Sequence, residues 1–521
     1  MNFKKPTLLL LALAAFGACK NQPNSEGKTV EISAKKPNII LIYADDLGFG
    51  ELGAYGATEI STPNLDYLAN NGVKFTNGYA TSATCTPSRY GILTGTYPWR
   101  NKEAKILPGT APLIIDTAQI TLPKMLKTQG YQTAIIGKWH LGLGSGVVDW
   151  NVPITPGPNQ VGFDYSYIMA ATQDRVPTVY IKNGTVANLD PNDPIEVSYG
   201  DNFEGEPTGT KNPELLKMVG DPQHSNAIVN GVPRIGFMKG GKAARWVDED
   251  MADHFLAEVQ TYIKKSKKNP FFLYYGLQQP HVPRTPNPRF VGKSGMGPRG
   301  DVILEADWAI GELIKTLEAE GILENTLIIF SSDNGPVLDD GYADQAIELL
   351  GKHKPGGEFR GGKYSLYEAG TRVPFFTFWK GTIQPQVSEA LVSQVDLLSS
   401  LAHFTGSKTT TKDSQNMMDL FLGKSTQGRK NLIIEATSRT AFREGDWLFI
   451  PPYKGNAFLK NKGIETGSSK DFQLYDLKND PQQSKNLAAE NPEKVAEMLK
   501  NFEQIRGNDY QAIQQIEFKR E

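Results

Sequence analysis

The chain has 521 residues, 39% apolar and 21% charged, with 55 basic against 57 acidic side chains. That length buries a large core and allows about two to four domains, and the composition excludes a disordered chain. A net charge of −2 supplies no global basic field. Nucleic acid is therefore excluded as a partner, and an anionic ligand must be held by a local cluster of cations.

Lys4 and Lys5 precede an apolar run from Leu8 to Phe16, followed by Gly17-Ala18-Cys19. The run is shorter than the ~20 residues a membrane span needs. It reads as a signal peptide over residues 1–18. Cys19 directly after Gly-Ala resembles a lipoprotein cleavage box, which implies lipidation of Cys19, although Phe16 stands where Leu is usual. The alternative is an ordinary secretory signal in which Cys19 is incidental. Residues 19–36, rich in Asn, Ser, Lys and Gly, read as a flexible tether.

Asn38 to Tyr43 is a continuous apolar run, suited to a strand buried on both faces of a parallel sheet. It delivers Asp45-Asp46, two carboxylates that repel unless a cation sits between them. A helix starts at Thr62-Pro63 with Leu65, Leu68 and Ala69 on one face. Phe75 to Tyr79 leads into a loop at Cys85, which opens a short helix carrying Arg89 one turn on. Another helix runs from Thr121 to Gly130, and the strand Tyr131–Ile136 delivers Lys138 and His140. Two apart on an extended segment, these face the same side, a cation and an imidazole suited to an anion.

Residues 145–240 carry many Pro, Gly and Asn and little periodicity. They read as an insertion over the strand ends, where loops set substrate choice. Asp174, Arg175 and His224 are its candidate substrate contacts, and Trp150, Tyr180 and Trp246 are candidates to stack on sugar faces. An amphipathic helix spans Ala243 to Lys265, and the strand Pro270–Leu277 delivers His281. A helix over Asp301–Gly321 precedes the strand Thr326–Phe330, which delivers Asp333-Asn334. Lys363 lies on a Gly-rich loop before a strand at Val373–Trp379.

Alternating strands and helices make residues 37–430 an α/β domain with a large, mostly parallel central sheet flanked by helices. Residues 431–521 read as a smaller α+β subdomain, with antiparallel strands at 431–434, 446–450 and 473–477 and a final helix from Asn491 to about Ile505.

Cys85-Thr86-Pro87-Ser88-Arg89, with Leu93-Thr94-Gly95 after it, resembles the sulfatase signature Cys-x-Pro-Ser-Arg followed by Leu-Thr-Gly. The resemblance extends over nearly the whole mature chain, through Asp45-Asp46, Gly137-Lys138-Trp139-His140, Pro280-His281, Ser332-Asp333-Asn334-Gly335, Gly362-Lys363 and Leu474-Tyr475-Asp476-Leu477. It implies an alkaline-phosphatase-like fold and a sulfuric ester hydrolase. Cys85 would be oxidised by a formylglycine-generating maturation enzyme to formylglycine, whose hydrate is a geminal diol.

Asp45, Asp46, Asp333 and Asn334, with the oxygen made at position 85, would bind one divalent metal. Hard oxygen donors favour Ca2+ or Mg2+ over Zn2+, and the family usually carries Ca2+. Arg89 would stabilise the attacking oxygen, and Lys138 and Lys363 would hold the sulfate. His281 would protonate the leaving oxygen. His140 would take the proton that lets the covalent sulfo-enzyme collapse.

The implied substrate is a sulfated carbohydrate, with galactose or N-acetylgalactosamine sulfates first. The implied place is the bacterial envelope, in the periplasm or lipid-anchored to a membrane. The rival readings are a formylglycine-dependent phosphonate or phosphodiester hydrolase and a non-catalytic lipoprotein that binds sulfated glycans. A two-zinc phosphatase would show more ligand histidines and a Ser or Thr nucleophile.

Overall fold

The computed structural model describes residues 36–511. The leader, Cys19 and all of the tether except Lys36 lie outside the described residues. Strand β1 (Asn38–Ala44) is buried along its whole length, as its apolar run requires. In chain order the elements around it are α1 (Pro63–Asn70), β2 (Val73–Phe75), α2 (Cys85–Thr94), α3 (Leu122–Thr128) and β3 (Gln132–Lys138). Then come β4 (Tyr165–Met169), β5 (Tyr180–Lys182), β6 (Thr185–Val186), α4 (Met251–Ser266) and β7 (Phe271–Gly276). They are followed by α5 (Gly297–Ala319), β8 (Thr326–Ser332), β9 (Phe375–Phe378), β10 (Gln386–Ser388) and α6 (Leu397–Thr405).

These strands form one ten-stranded sheet in the order β10-β2-β9-β8-β1-β7-β3-β4-β5-β6. The middle of it, β8-β1-β7-β3-β4, is parallel, while β9 and β5 turn antiparallel against it. The expected α/β architecture is therefore present. Successive residues of β1 face opposite cores. Ile39, Leu41 and Tyr43 pack with Leu93 of α2, Met125 of α3 and Leu398 of α6. Ile40 and Ile42 pack with Leu68 of α1, Val259 of α4 and Ile310 of α5. Each such fully buried aliphatic side chain stabilises the fold by about 1.5–3 kcal/mol, which fixes the central strands firmly.

Several boundaries differ from the sequence reading. The helix expected from Ala243 begins only at Met251, because Asp248–Asp250 forms a separate tight turn and the Trp246 indole N–H is held by Asp248 Oδ1 at 3.2 Å. Helix α5 starts earlier than Asp301, at Gly297, where Pro298 suits the first turn. The insertion is not all loop, since β4, β5 and β6 extend the main sheet.

The C-terminal sheet has four antiparallel strands rather than three: β11 (Asn431–Ala436), β12 (Arg439–Glu444), β13 (Trp447–Ile450) and β16 (Gln473–Asp476). Strand β12 escaped because its turn, Thr437-Ser438, adopts left-handed backbone (φ 49° and 70°) without the Gly or Asn that normally signals such a hairpin. A small hairpin, β14 (Phe458–Leu459) and β15 (Ile464–Glu465), projects between β13 and β16, and α7 (Pro492–Arg506) closes the chain. This sheet shares a core with Tyr79, Ala83 and Leu366 of the larger sheet's loops. No helix among the described residues is long and apolar enough to cross a membrane.

Candidate active site

Register places the site. Ala44 pairs with Ser332, Tyr43 with Gly276, and Gly276 with Gly137, so β1, β8, β7 and β3 end at one edge. Asp45-Asp46, Asp333-Asn334 and Lys138 therefore emerge side by side, at the carboxyl ends where open α/β sheets hold ligands. Gly137 has φ 110°, and a Cβ there would lie 1.9 Å from the Gly276 carbonyl oxygen, so the two strands meet only as glycines. Helix α2, buried throughout, brings Cys85 to the same edge as its first residue. Arg89 follows one turn later on the same face.

Carboxylate oxygens of Asp45, Asp46 and Asp333 lie within 4.8 Å of one another, all buried. Asp46 is held in left-handed backbone (φ 62°), and its N–H donates to Asp333 Oδ1 at 3.2 Å. The Asn334 amide donates to Asp46 Oδ1 at 2.7 Å, which leaves its side-chain carbonyl oxygen as the free acceptor. That oxygen and Asp45 Oδ1 are buried and have no hydrogen-bond partner among the described residues. Burial pushes the Asp45 carboxyl well above its usual range; Lys138 opposes this, while Asp333 and Asp46 add to it. Three crowded carboxylates, two orphaned oxygens and an all-oxygen donor set fit a hard divalent cation.

Cations surround this cluster. Lys138 Nζ donates to Asp45 Oδ2 at 2.5 Å. Arg89 grips Asp333 Oδ2 through Nε at 3.0 Å and Nη2 at 2.7 Å, and its Nη1 donates to the Lys138 carbonyl and to Tyr274 Oη. Four of its five donors are thus spent on Asp333, the Lys138 carbonyl and Tyr274, so it orients a carboxylate of the cluster.

Cys85 Sγ, an Asp45 oxygen and a His281 ring nitrogen lie within 4.8 Å of one another. Burial pushes the Cys85 thiol up to about 11 in spite of Lys138 and Lys363, so as a thiol it is inert at neutral pH. His140 adopts left-handed backbone (φ 55°), so the extended pairing with Lys138 read from the sequence breaks at this residue. Its Nε2 lies 2.9 Å from the Leu107 carbonyl, which makes Nε2 the donor and leaves Nδ1 a buried lone pair without a partner among the described residues. Burial, Lys138 and Arg175 hold the ring neutral. His281 Nδ1 donates to the Val282 carbonyl at 2.6 Å, and its Nε2 sits 3.8 Å from Asp46 Oδ2. Burial and Lys363 lower its pKa to about 4 against the pull of Asp46.

Lys363 Nζ donates to Asp46 Oδ2 at 2.9 Å and to Asp340 Oδ2 at 2.8 Å. Asp340 also receives Tyr364 Oη and Lys462. Sequence reasoning missed all three of these residues.

The insertion candidates come together. Arg175 Nη1 donates to Asp174 Oδ1 at 2.8 Å, and His224 stands between Asp174 (3.4 Å) and Asp221 (2.8 Å). Burial lowers the His224 pKa, but the two carboxylates outweigh it and leave it raised. Gly341, with φ 103°, admits the imidazole: a Cβ there would lie 2.2 Å from His224 Nδ1. Trp150, Tyr180 and Trp246 do not line a sugar site. They are 3%, 6% and 3% exposed, and Tyr180 stacks on His254 at 4.1 Å, so they are core residues, Trp150 in the cluster on one face of the central sheet and Tyr180 and Trp246 in the cluster on the other.

A family model described as Sulfatase matches residues 37–407. The chain is 48% identical over 510 residues to an N-acetylgalactosamine-6-O-sulfatase of Bacteroides thetaiotaomicron, covering 97% of this chain and 99% of that one. It is 31% identical over 520 residues to human arylsulfatase A, covering 96% and 90%. Among solved structures, one described with the metabolism of multiple glycosaminoglycans by Bacteroides thetaiotaomicron superposes with a TM-score of 0.89 at 50% identity, covering 91% of this chain and 99% of that one.

Proposed function

The chain belongs to the sulfatase family and is a sulfuric ester hydrolase; from that premise we propose that it removes O-sulfate from sulfated glycans, with 6-O-sulfated N-acetylgalactosamine as its first substrate. The observation that carries this reading is the buried Cys85, whose Sγ lies within 4.8 Å of an oxygen of Asp45, itself one of three crowded buried carboxylates. The sugar assignment rests on the 48% identical relative, which spans 97% of this chain.

Asp45, Asp46, Asp333 and Asn334 would hold the metal, and their oxygen donors favour Ca2+. Bound there, it supplies Lewis-acid charge beside residue 85. Oxidation of Cys85 to formylglycine supplies a geminal diol, one hydroxyl to attack sulfur and a second whose proton loss releases sulfate. Lys138 and Lys363 hold the sulfate oxygens through directed charge. Arg89 fixes Asp333. His281 delivers a proton from Nε2 to the departing sugar oxygen, its proton affinity lifted by the negative charge of the bound ester. His140, neutral and with Nδ1 free, accepts the proton that returns the site to its starting state. Asp174, Arg175 and His224 contact the sugar. Export through the leader and lipidation of Cys19 would place the enzyme in the envelope.

The test is mass analysis of the Cys85 peptide from protein made with a maturation enzyme, followed by a panel of sulfated sugars. The expected result is a loss of about 18 Da relative to unmodified Cys, trapped by an aldehyde reagent, and release of sulfate from the 6-O-sulfated sugar. A persistent thiol and no sulfate release would overturn the reading.

A further inference from the structure

Asp340 sits on the loop after β8, where it gathers three donors from two distant segments. Lys363 Nζ donates to Oδ2 at 2.8 Å, Lys462 Nζ pairs with Oδ1 at 2.7 Å, and Tyr364 Oη reaches both oxygens at 3.2 and 3.3 Å. Lys462 comes from the turn of the β14–β15 hairpin in the C-terminal region, and its side chain is only 10% exposed. The hairpin is also pinned to the Lys363 loop through backbone and side chains. Arg360 makes a bidentate pair with Glu465 at 2.6 Å, and the Leu366 N–H donates to the Thr466 carbonyl. Tyr364 is held in left-handed backbone (φ 73°), a strained state for a tyrosine. Its N–H donates to the Ala83 carbonyl, two residues before Cys85, while the Lys363 N–H donates to Pro336 beyond Asp333.

The division of the Asp340 oxygens matters for Lys363. A carboxylate with both oxygens free can close over a single ammonium and draw it back. Lys462 occupies one oxygen, so Lys363 is tethered through the other alone and, with Asp46 as its second acceptor, keeps one of its three donors for a further anion. Asp46, the other partner of Lys363, is also a proposed metal ligand, which leaves Asp340 as the anchor that belongs to Lys363.

We propose that Asp340 and Lys462 are positioning residues that set the Lys363 ammonium against the sulfate, so that a hairpin of the C-terminal region serves turnover of every sulfate ester, whatever its alcohol. This rests on the reading above that Lys363 holds sulfate.

The experiment uses full-length matured protein with K462A, D340N, the double variant and K462R. It measures kcat and KM on an aryl sulfate and on 6-O-sulfated N-acetylgalactosamine, calorimetric binding of inorganic sulfate, and melting temperature. Removal of a supporting partner in a site of this kind costs on the order of tenfold to a hundredfold. K462A and D340N are each expected to lose that factor equally on both substrates and in sulfate binding. The double variant should be no worse than the poorer single variant, since contacting residues act together. K462R should restore most of the loss. A loss confined to the sugar substrate, additive losses, or a fall in melting temperature that accounts for the activity without rescue by K462R would each overturn the proposal. If the wild type turns over neither ester, the functional reading fails, and the sulfate-binding comparison still decides the positioning role. A wild type that neither turns over esters nor binds sulfate overturns both.

Discussion

Asp45, Asp333 and Lys138 leave the sheet from neighbouring parallel strands, whereas Asp174, Arg175 and His224 come from a stretch whose order depends on turns and short ladders. In the first region the backbone register alone brings charges of both signs within contact. In the second, His224 is held by two carboxylates and by the space a glycine leaves at position 341. The first arrangement can serve any sulfate ester. Arg175 and Asp174 reach the first region through charge, on His140 and His281, whereas His224 is tied to Asp174 and Asp221, which suits a residue that chooses the alcohol. Changes at the strand ends should therefore cost all substrates alike, and a change at His224 should cost only sugars.

The largest effect belongs to Cys85→Ala. Loss of a nucleophile in a hydrolase costs on the order of 10⁶-fold in kcat. The fall should be of that order on aryl and sugar sulfates equally, with the melting temperature kept near the wild-type value. A variant that retained turnover on either ester would remove the strand-end cluster from the chemistry.

Metal removal comes next. Burial and the crowding of Asp333 and Asp46 make the Asp45 charge costly, so a cation should both activate and stabilise the protein. Chelation should abolish turnover of both ester classes. Ca2+ restored at about a hundredfold over its Kd should add about 2.7 kcal/mol of stability, read from thermal unfolding. Asp45→Asn should reduce both effects. Unchanged stability on Ca2+ addition would mean that Lys138, Arg89 and Lys363 already balance the carboxylates.

Much of this cluster was legible in the sequence for a physical reason. A strand buried on both faces reads as an unbroken apolar run, and the first polar residues after it mark the sheet edge. Asn38–Tyr43 before Asp45 and Thr326–Phe330 before Asp333 are of this kind. Asp340, Tyr364 and Lys462 were not legible, because their meeting depends on a loop, a strained tyrosine and a hairpin far apart in the chain. Trp150, Tyr180 and Trp246 show the opposite error. Large aromatics in and beside a Pro- and Gly-rich insertion suggested a sugar platform, but they pack into the two cores that flank the central sheet.

His224→Ala sharpens the comparison on the side of the insertion. It leaves Asp174 and Asp221 without their shared partner, at a cost of about 2 kcal/mol in binding the sugar, or roughly thirtyfold in kcat/KM. Hydrolysis of an aryl sulfate should change by less than about threefold. Trp246→Phe, by contrast, should lower the melting temperature and leave the KM for both esters unchanged. Equal losses on both esters in His224→Ala would merge the two regions into one functional unit.

The smallest expected effect is a pH dependence of choice. The His224 pKa is raised because Asp174 and Asp221 outweigh its burial, and Tyr342 packs against the ring at 4.9 Å without adding charge at neutral pH. Its positive charge, and the ion pairs it makes, are therefore fully present below its ordinary value of 6.5 and are lost as pH rises through the raised value. A charged hydrogen bond is worth about 1 kcal/mol more than a neutral one, roughly fivefold in affinity. The ratio of kcat/KM for sugar sulfate over aryl sulfate cancels every titration the two reactions share at the strand ends. That ratio should stay flat at acid pH and fall by about fivefold on going alkaline. In His224→Gln it should be flat throughout. A ratio that still fell in the variant would place the titrating group elsewhere and separate His224 from the choice of sugar.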